Sequence, residues 1–170
     1  FEQVRAAPGV QLRVLVNSAG LMARGDLRTL SAAEWDSTLD LNLRAPWLCA
    51  REAARLMGAP GGSIINITDS GAHRAWTGFP AYTVSKAGLE SLTRLLARSL
   101  APAVRVNAVA PGLILRSEEV SEEEWQRLYN RLPLQQPGSV DAITQAVLFL
   151  LANTYVTGQT IVVDGGYQLI

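Results

Sequence analysis

Four short runs of aliphatic and β-branched residues recur along the chain, at residues 13–17, 63–68, 104–110 and 160–163. The first, second and fourth are nearly continuous apolar runs, as expected of parallel strands buried on both faces. Between them the apolar spacing lengthens to that of helices. Ser31-Ala32-Ala33-Glu34 reads as a capping box and opens an amphipathic stretch reaching about Met57, where Gly58, Pro60, Gly61 and Gly62 end it. A second helix is predicted from Pro80 to about Leu100, with Leu89, Leu92, Leu95 and Leu96 on its buried face. Ser121-Glu122-Glu123-Glu124 offers a cap for a shorter helix to Tyr129. Residues 139–152 form the last helix, apolar at Ile143, Val147, Leu148 and Leu151. The segment before Val14 reads as the tail of a helix and a turn.

Strands alternating with helices predict a single α/β domain over 1–170, an open, doubly wound parallel sheet with right-handed crossovers. Ligands in such sheets sit beyond the carboxyl ends of the strands. Those ends carry Asn17-Ser18-Ala19-Gly20, Thr68-Asp69-Ser70 and Pro111-Gly112, so polar and glycine-bearing loops gather along one edge.

Composition narrows the function. With 15 acidic and 15 basic side chains the formal net charge is zero, which argues against nucleic acid or an anionic membrane as partner. No apolar run is long enough for a membrane span. The single Cys49 excludes an internal disulfide framework and, with no secretory signal at the start, fits a cytoplasmic setting. One Cys and one His do not make a conventional zinc site, and no metal is expected.

The basic side chains are unevenly chosen: 14 are Arg and one, Lys86, is Lys. Arg effectively cannot give up its proton, whereas Lys is a compact ammonium on a flexible stem. That single Lys falls four residues after Tyr82. On a helix the two side chains lie about 40° apart, on one face. An ammonium beside a phenol is expected to lower the Tyr pKa toward neutrality, giving a group that exchanges a proton while a hydride moves. Pro46 adds a link. Its missing N–H leaves the carbonyl of Asn42 without the usual helical partner, and a freed carbonyl and an amide side chain at one kink can hold an ordered water. A Pro tolerated at a bend or at a helix join, with Asn42 exposed, is the plainer alternative.

The motifs together resemble the short-chain dehydrogenase/reductase family. Leu15-Val16-Asn17-Ser18-Ala19-Gly20 is similar to its Asn-Asn-Ala-Gly strand end, and Asp40-Leu41-Asn42-Leu43 to the segment with its catalytic Asn. Ser63-Ile64-Ile65-Asn66-Ile67 resembles the strand before its catalytic Ser, and Tyr82 to Lys86 its signature. Arg105-Val106-Asn107-Ala108-Val109-Ala110-Pro111-Gly112, and Thr157-Gly158-Gln159 through Val163-Asp164-Gly165-Gly166, resemble its last two strands. The resemblance implies a Rossmann-like fold, a nicotinamide cofactor, and hydride transfer involving a carbonyl, imine or alcohol. Tyr82 is then the acid or base. Lys86 holds the nicotinamide ribose and acidifies Tyr82, and Asn42 anchors a proton-relay water. Asn17, Ala19 and Gly20 line the adenosine side, with Pro111 and Gly112 beside the nicotinamide. It also implies a homo-oligomer, dimer or tetramer, built on the two long helices and the last strand.

Two departures from the family pattern sharpen the reading. The glycine-rich βαβ portion that cradles the pyrophosphate is missing, with the residue that selects NADP over NAD. The expectation is therefore the C-terminal two-thirds of the fold, with the sheet edge beside Val14 uncovered. Second, the position thirteen residues before Tyr82, usually Ser, is Asp69. Thr68 and Ser70 flank it, and their side chains point the other way in an extended strand end; Ser70 acting after a local shift is the alternative. Asp, Tyr and Lys together resemble pteridine reductases, as do Leu89-Glu90, Pro111-Gly112-Leu113 and Val163-Asp164-Gly165-Gly166-Tyr167. A carboxylate suits a basic, nitrogen-rich ring, accepting its N–H groups or passing it a proton. The aromatic residue that stacks on the pterin in those enzymes is replaced here by Leu21 and Met22, a looser contact.

The expectation is an NADP-dependent reductase of a pterin-like small molecule using NADPH, NAD remaining open. A 3-oxoacyl or polyol reductase is the alternative within the family. A non-catalytic binding or regulatory member is the alternative outside enzymes, and it is disfavoured by the presence of both Tyr82 and Lys86. Trp125, after Pro111-Gly112, is either a substrate-covering aromatic or helix packing. His73 reads as a solvated loop side chain. Glu118, Glu119, Glu122, Glu123 and Glu124 read as a solvated helix start.

Overall fold

The computed structural model describes residues 1–7, 9–117 and 120–170, so Glu118 and Glu119 lie outside the described residues. After a short helix α1 (Glu2–Ala6) come β1 (Val14–Asn17), α2 (Ala32–Leu39), a π-helical turn (Asp40–Arg44) and α3 (Ala45–Met57). β2 (Gly62–Ile67), a 3₁₀ turn (Ser70–His73), α4 (Pro80–Leu100) and β3 (Val104–Pro111) form the centre. α5 (Glu122–Tyr129), α6 (Val140–Ala152) and β4 (Thr160–Val163) complete it. The strands pair in the order β1-β2-β3-β4, all parallel, with Asn17 opposite Asn66 and Ile67 opposite Val109. The doubly wound α/β reading is the architecture observed.

Alternation along β2 divides the core between the two faces of the sheet. Ile64 packs with Ala50, Ala53, Met57 and Leu96 of α3 and α4. Its neighbour Ile65 packs with Val109 and with Leu150 of α6. The asparagines within these strands are hydrogen-bonded, whereas the buried Ser63 hydroxyl has no partner among the described residues. Asn17 donates to Asn66 at 2.8 Å, and Asn66 donates to Thr93 of α4 at 2.9 Å. Asn107 donates to the Val156 carbonyl at 2.9 Å. β1 lies at the sheet edge, with Val14 and Val16 about two-fifths exposed, as expected for that side.

Helix boundaries follow their caps. Ser31 and Glu34 form a reciprocal capping box, and Ser121 and Ser139 cap α5 and α6. Two expected faces are misphased. Leu95 is 63% exposed and Leu148 is 57% exposed, whereas Leu150 is fully buried. On the helical wheel Leu95 lies about 120° from Leu89 and about 100° from Leu96, enough to lift it off the core. In α6 the sheet-facing stripe runs through Ile143, Val147 and Leu150, and Leu148 falls outside it.

Gly61 shows a local requirement of the fold. It holds φ at +68°, and a Cβ there would stand 1.9 Å from the Ala103 carbonyl oxygen. That carbonyl also accepts from the Gly62 N–H at 3.1 Å, so neither strand entry can retreat. Gly61→Ala is expected to cost about 3 kcal/mol. Chemical unfolding measures it, and a variant as stable as the parent would show that the β2 entry yields freely.

Among the described residues no helix is long and apolar enough to cross a membrane, and no cluster of His, Cys, Asp and Glu could hold a metal ion.

Candidate active site

The carboxyl ends of the strands open into a cleft of about 500 Å³. Its walls include Ser18, Gly20, Met22, Asp69, Tyr82, Lys86, Pro111, Gly112 and Trp125, so most of the sequence-predicted site residues converge there. Asn17 and Ala19 are not among the residues lining it. Asn17 is turned to Asn66 instead.

Tyr82 enters from the first turn of α4, which Pro80 starts, with Lys86 one turn below. Asp69 leaves the end of β2 and caps the 3₁₀ turn, where its Oδ1 accepts from the Gly71 N–H at 2.6 Å. Its other oxygen, Oδ2, accepts from the Tyr82 hydroxyl at 2.7 Å. Phenol and carboxylate therefore form one unit facing the cleft. Ser70 does not join it. It is buried, its hydroxyl has no hydrogen-bond partner among the described residues, and it does not line the cleft. Thr68 donates to the Val109 carbonyl, pointing into the sheet.

Lys86 donates to the Ile67 carbonyl at 2.9 Å, with its Nζ 5.7 Å from the centre of the Tyr82 ring. Gly20 lies against it: a Cβ there would reach within 3.4 Å of Lys86 Nζ and 3.5 Å of Asn42 Oδ1. The expected acidification of Tyr82 by Lys86 is corrected here. Burial, then the charge of Asp69 and its hydrogen bond, hold the Tyr82 phenol above its ordinary pKa. Burial also raises Asp69, against hydrogen bonds from Tyr82 and Gly71, and lowers Lys86, against the attraction of Asp69. With burial and the Asp69 carboxylate acting against it, proximity of Lys86 to the ring does not decide the sign.

Asn42 is fully buried rather than exposed. Its side-chain amide donates to the Leu21 carbonyl at 2.9 Å and to Ser85 Oγ at 3.0 Å, and its Oδ1 accepts from the Leu21 N–H at 2.8 Å. The side chain is thereby spent on clamping the loop after β1 to α4, leaving any water contact to its main-chain carbonyl. Leu21 is the clamped residue and Met22 the one that reaches the cleft.

Two groups have roles the sequence did not convey. His73 is solvated, its side chain 62% exposed, and it is also paired: its Nε2 lies 2.8 Å from Glu90 Oε2, and Glu90 is buried. Glu90 follows Lys86 by one helical turn and adds its charge to those raising Asp69. Trp76 lines the cleft beside Asp69 and Tyr82. No local spacing announces it. Trp125 also lines the cleft, its ring 6.4 Å from that of Tyr129, so it serves packing and cleft at once.

Parallel strands wound on both faces, with a Tyr–Lys pair at their carboxyl edge, define an α/β oxidoreductase class. A family model described as enoyl-(acyl carrier protein) reductase matches residues 1–168. The chain is 39% identical over 168 residues to (2S)-[(R)-hydroxy(phenyl)methyl]succinyl-CoA dehydrogenase subunit BbsD of Thauera aromatica, covering 94% of this chain and 66% of that protein. It is 35% identical to the human 3-oxoacyl-[acyl-carrier-protein] reductase, over 100% of this chain and 72% of that one. Among solved structures, FolM alternative dihydrofolate reductase 1 from Brucella suis, in complex with NADP, superposes with a TM-score of 0.93 at 34% identity. That match covers 99% of this chain and 69% of the Brucella chain. The chain spans about two thirds of the length of these relatives. It belongs to the short-chain dehydrogenase/reductase family.

Proposed function

We propose that this chain carries the proton-delivering half of an NADP-dependent reductase acting on a pterin-like or dihydropterin ring. The observation that carries the reading is the 2.7 Å hydrogen bond from the Tyr82 hydroxyl to Asp69 inside the cleft. A carboxylate in this place can accept N–H groups of a nitrogen-rich ring, which a serine hydroxyl does less strongly. The likeness to a dihydrofolate reductase structure bound to NADP supports both ring class and cofactor.

The nicotinamide-ribose end of the cofactor fits the residues present. Gly20 leaves open the space beside Lys86 that a side chain would fill, and Lys86 Nζ, with one protein acceptor, retains hydrogens for ribose hydroxyls. Lys86 and Tyr82 would hold that ribose, Pro111 and Gly112 would border the ring, and the cofactor would supply the hydride. The protein's part is the proton. Tyr82, kept protonated by burial and by Asp69, donates its hydroxyl proton to the reduced substrate atom. Asp69, as the carboxylate, accepts the ring N–H groups and holds them in register, and Tyr82 regains its proton from solvent entering the cleft. Trp125 of α5 and Met22 of the loop after β1 would cover the substrate.

The test is NADPH oxidation by the full-length protein with dihydrobiopterin and dihydrofolate, beside acetoacetyl thioester and polyol-derived ketones. Turnover of the pterins is the expected result. Turnover confined to acyl or sugar substrates would assign the protein to the 3-oxoacyl group, in line with its human relative, and would end the pterin reading.

A further inference from the structure

Trp76 is placed too firmly for a loop side chain. It sits between the 3₁₀ turn and α4, where a flexible connection would let an indole swing into solvent. Three contacts prevent this. Its Nε1–H donates to the Tyr167 hydroxyl at 3.1 Å, and the two rings meet edge to face with centroids 6.0 Å apart. The benzo edge presses on Gly71: a Cβ at that position would lie 2.5 Å from the ring, so only glycine admits it. Phe79 closes the other side, 6.2 Å away.

The brace is itself braced. Arg74 donates to the Tyr167 carbonyl at 2.9 Å and stacks its guanidinium 4.5 Å from the Tyr167 ring centre. Gln168 donates to the Ser70 carbonyl at 2.9 Å, tying the segment after β4 to the loop that follows Asp69. Chain regions more than 90 residues apart thus meet to fix one indole. Gly71, whose missing Cβ makes room for the Trp76 ring, also donates its N–H to Asp69, so ring and carboxylate are set by the same short turn.

A rigid indole at the wall of a cleft that contains the proton donor offers a flat, electron-rich surface. We propose that Trp76, held by Tyr167 and Gly71, is the specificity-determining wall of this site and favours planar aromatic substrates over aliphatic ones of similar size. It supplies the aromatic face that Leu21 and Met22 do not. The inference deepens the pterin reading and rests on it for the position of the reacting atom. Tyr167 acts through Trp76 and is a positioning residue.

The experiment compares Trp76→Ala, Trp76→Phe and Tyr167→Phe in the full-length protein on dihydrobiopterin, an aryl ketone and an aliphatic ketone. Trp76→Ala is expected to lose about tenfold in kcat/KM on the aromatic substrates, carried by KM, with about twofold or less on the aliphatic one. Trp76→Phe restores most of the loss, and Tyr167→Phe shows a smaller loss of the same kind. Equal losses on all three substrates, or a fall in kcat alone, overturn the inference. Wild-type turnover of the aryl ketone without the pterin ends the pterin reading and leaves the aromatic-to-aliphatic ratio to judge Trp76. Wild-type protein that reduces neither aromatic substrate overturns both.

Discussion

Replacing Tyr82 by Phe is expected to lower turnover by about 10³-fold while the protein remains folded. The ring is 8% exposed, and Phe preserves its packing in full. Only one protein hydrogen bond is lost, the one to Asp69 Oδ2, at a cost of about 1 kcal/mol. Asp69 keeps its bond from the Gly71 N–H, so the carboxylate stays in place. What disappears is the proton at the reacting end of the cleft. Burial and Asp69 hold the Tyr82 phenol above its ordinary value, so at neutral pH the native group is charged with its proton and suited to reduction. NADPH consumption measured beside an unfolding curve checks both halves. A Phe variant within tenfold of the parent would mean that the proton comes from elsewhere, with Asp69 the nearest source.

Asp69→Asn is expected to cost about 10²-fold in kcat/KM on a dihydropterin and to move the pH profile. The direction follows from the charge. A carboxylate beside Tyr82 opposes the phenolate and raises its pKa, and removing that charge lets the pKa fall. A proton donor works below its pKa, so the alkaline limb of the reduction moves to lower pH. The acid limb set by Asp69 itself, a group raised by burial, should vanish in the same variant. A pH–rate profile of parent and variant reads both limbs. Asp69→Ser is the companion: improved rates on simple ketones with no loss on pterins would remove the chief reason for assigning a pterin.

Much of this site was legible because its parts are local. Tyr82 and Lys86 share a helix face by spacing alone, and Asp69 is marked by its place at a strand end. The sheet was legible for the same reason, since buried parallel strands leave apolar runs. What escaped reading depends on distant contacts or on sign. Trp76 takes its position from Tyr167, 91 residues later, and nothing in the loop's own residues implies that meeting. His73 is solvated as read, but its partner Glu90 went unseen because it is seventeen residues away on another element. The Tyr82 pKa was misjudged because spacing reveals that a cation is near but not that the pair is buried beside Asp69. Leu95 and Leu148 were misplaced by hydrophobicity alone, which does not fix the rotation of a helix against its sheet.

The wide turn between α2 and α3 has a geometric consequence. Thr38, Asn42, Pro46 and Ala50 are all buried, each four residues after the last. A uniform α-helix repeats every 3.6 residues, so such a series would slip about 40° per step and carry Ala50 off the core. The turn at Asp40–Arg44, where the Ala45 N–H reaches back five residues to Asp40, absorbs that slip. It works as a vernier between two gear trains: one surplus residue lets α2 and α3 press the same side inward while Asn42, at the joint, stays aimed at Leu21. Removing that residue would restore ideal helical spacing and turn Ala53 and Met57 by about 100° relative to α2. The irregular backbone is thus the element that keeps a regular core and a polar clamp in phase.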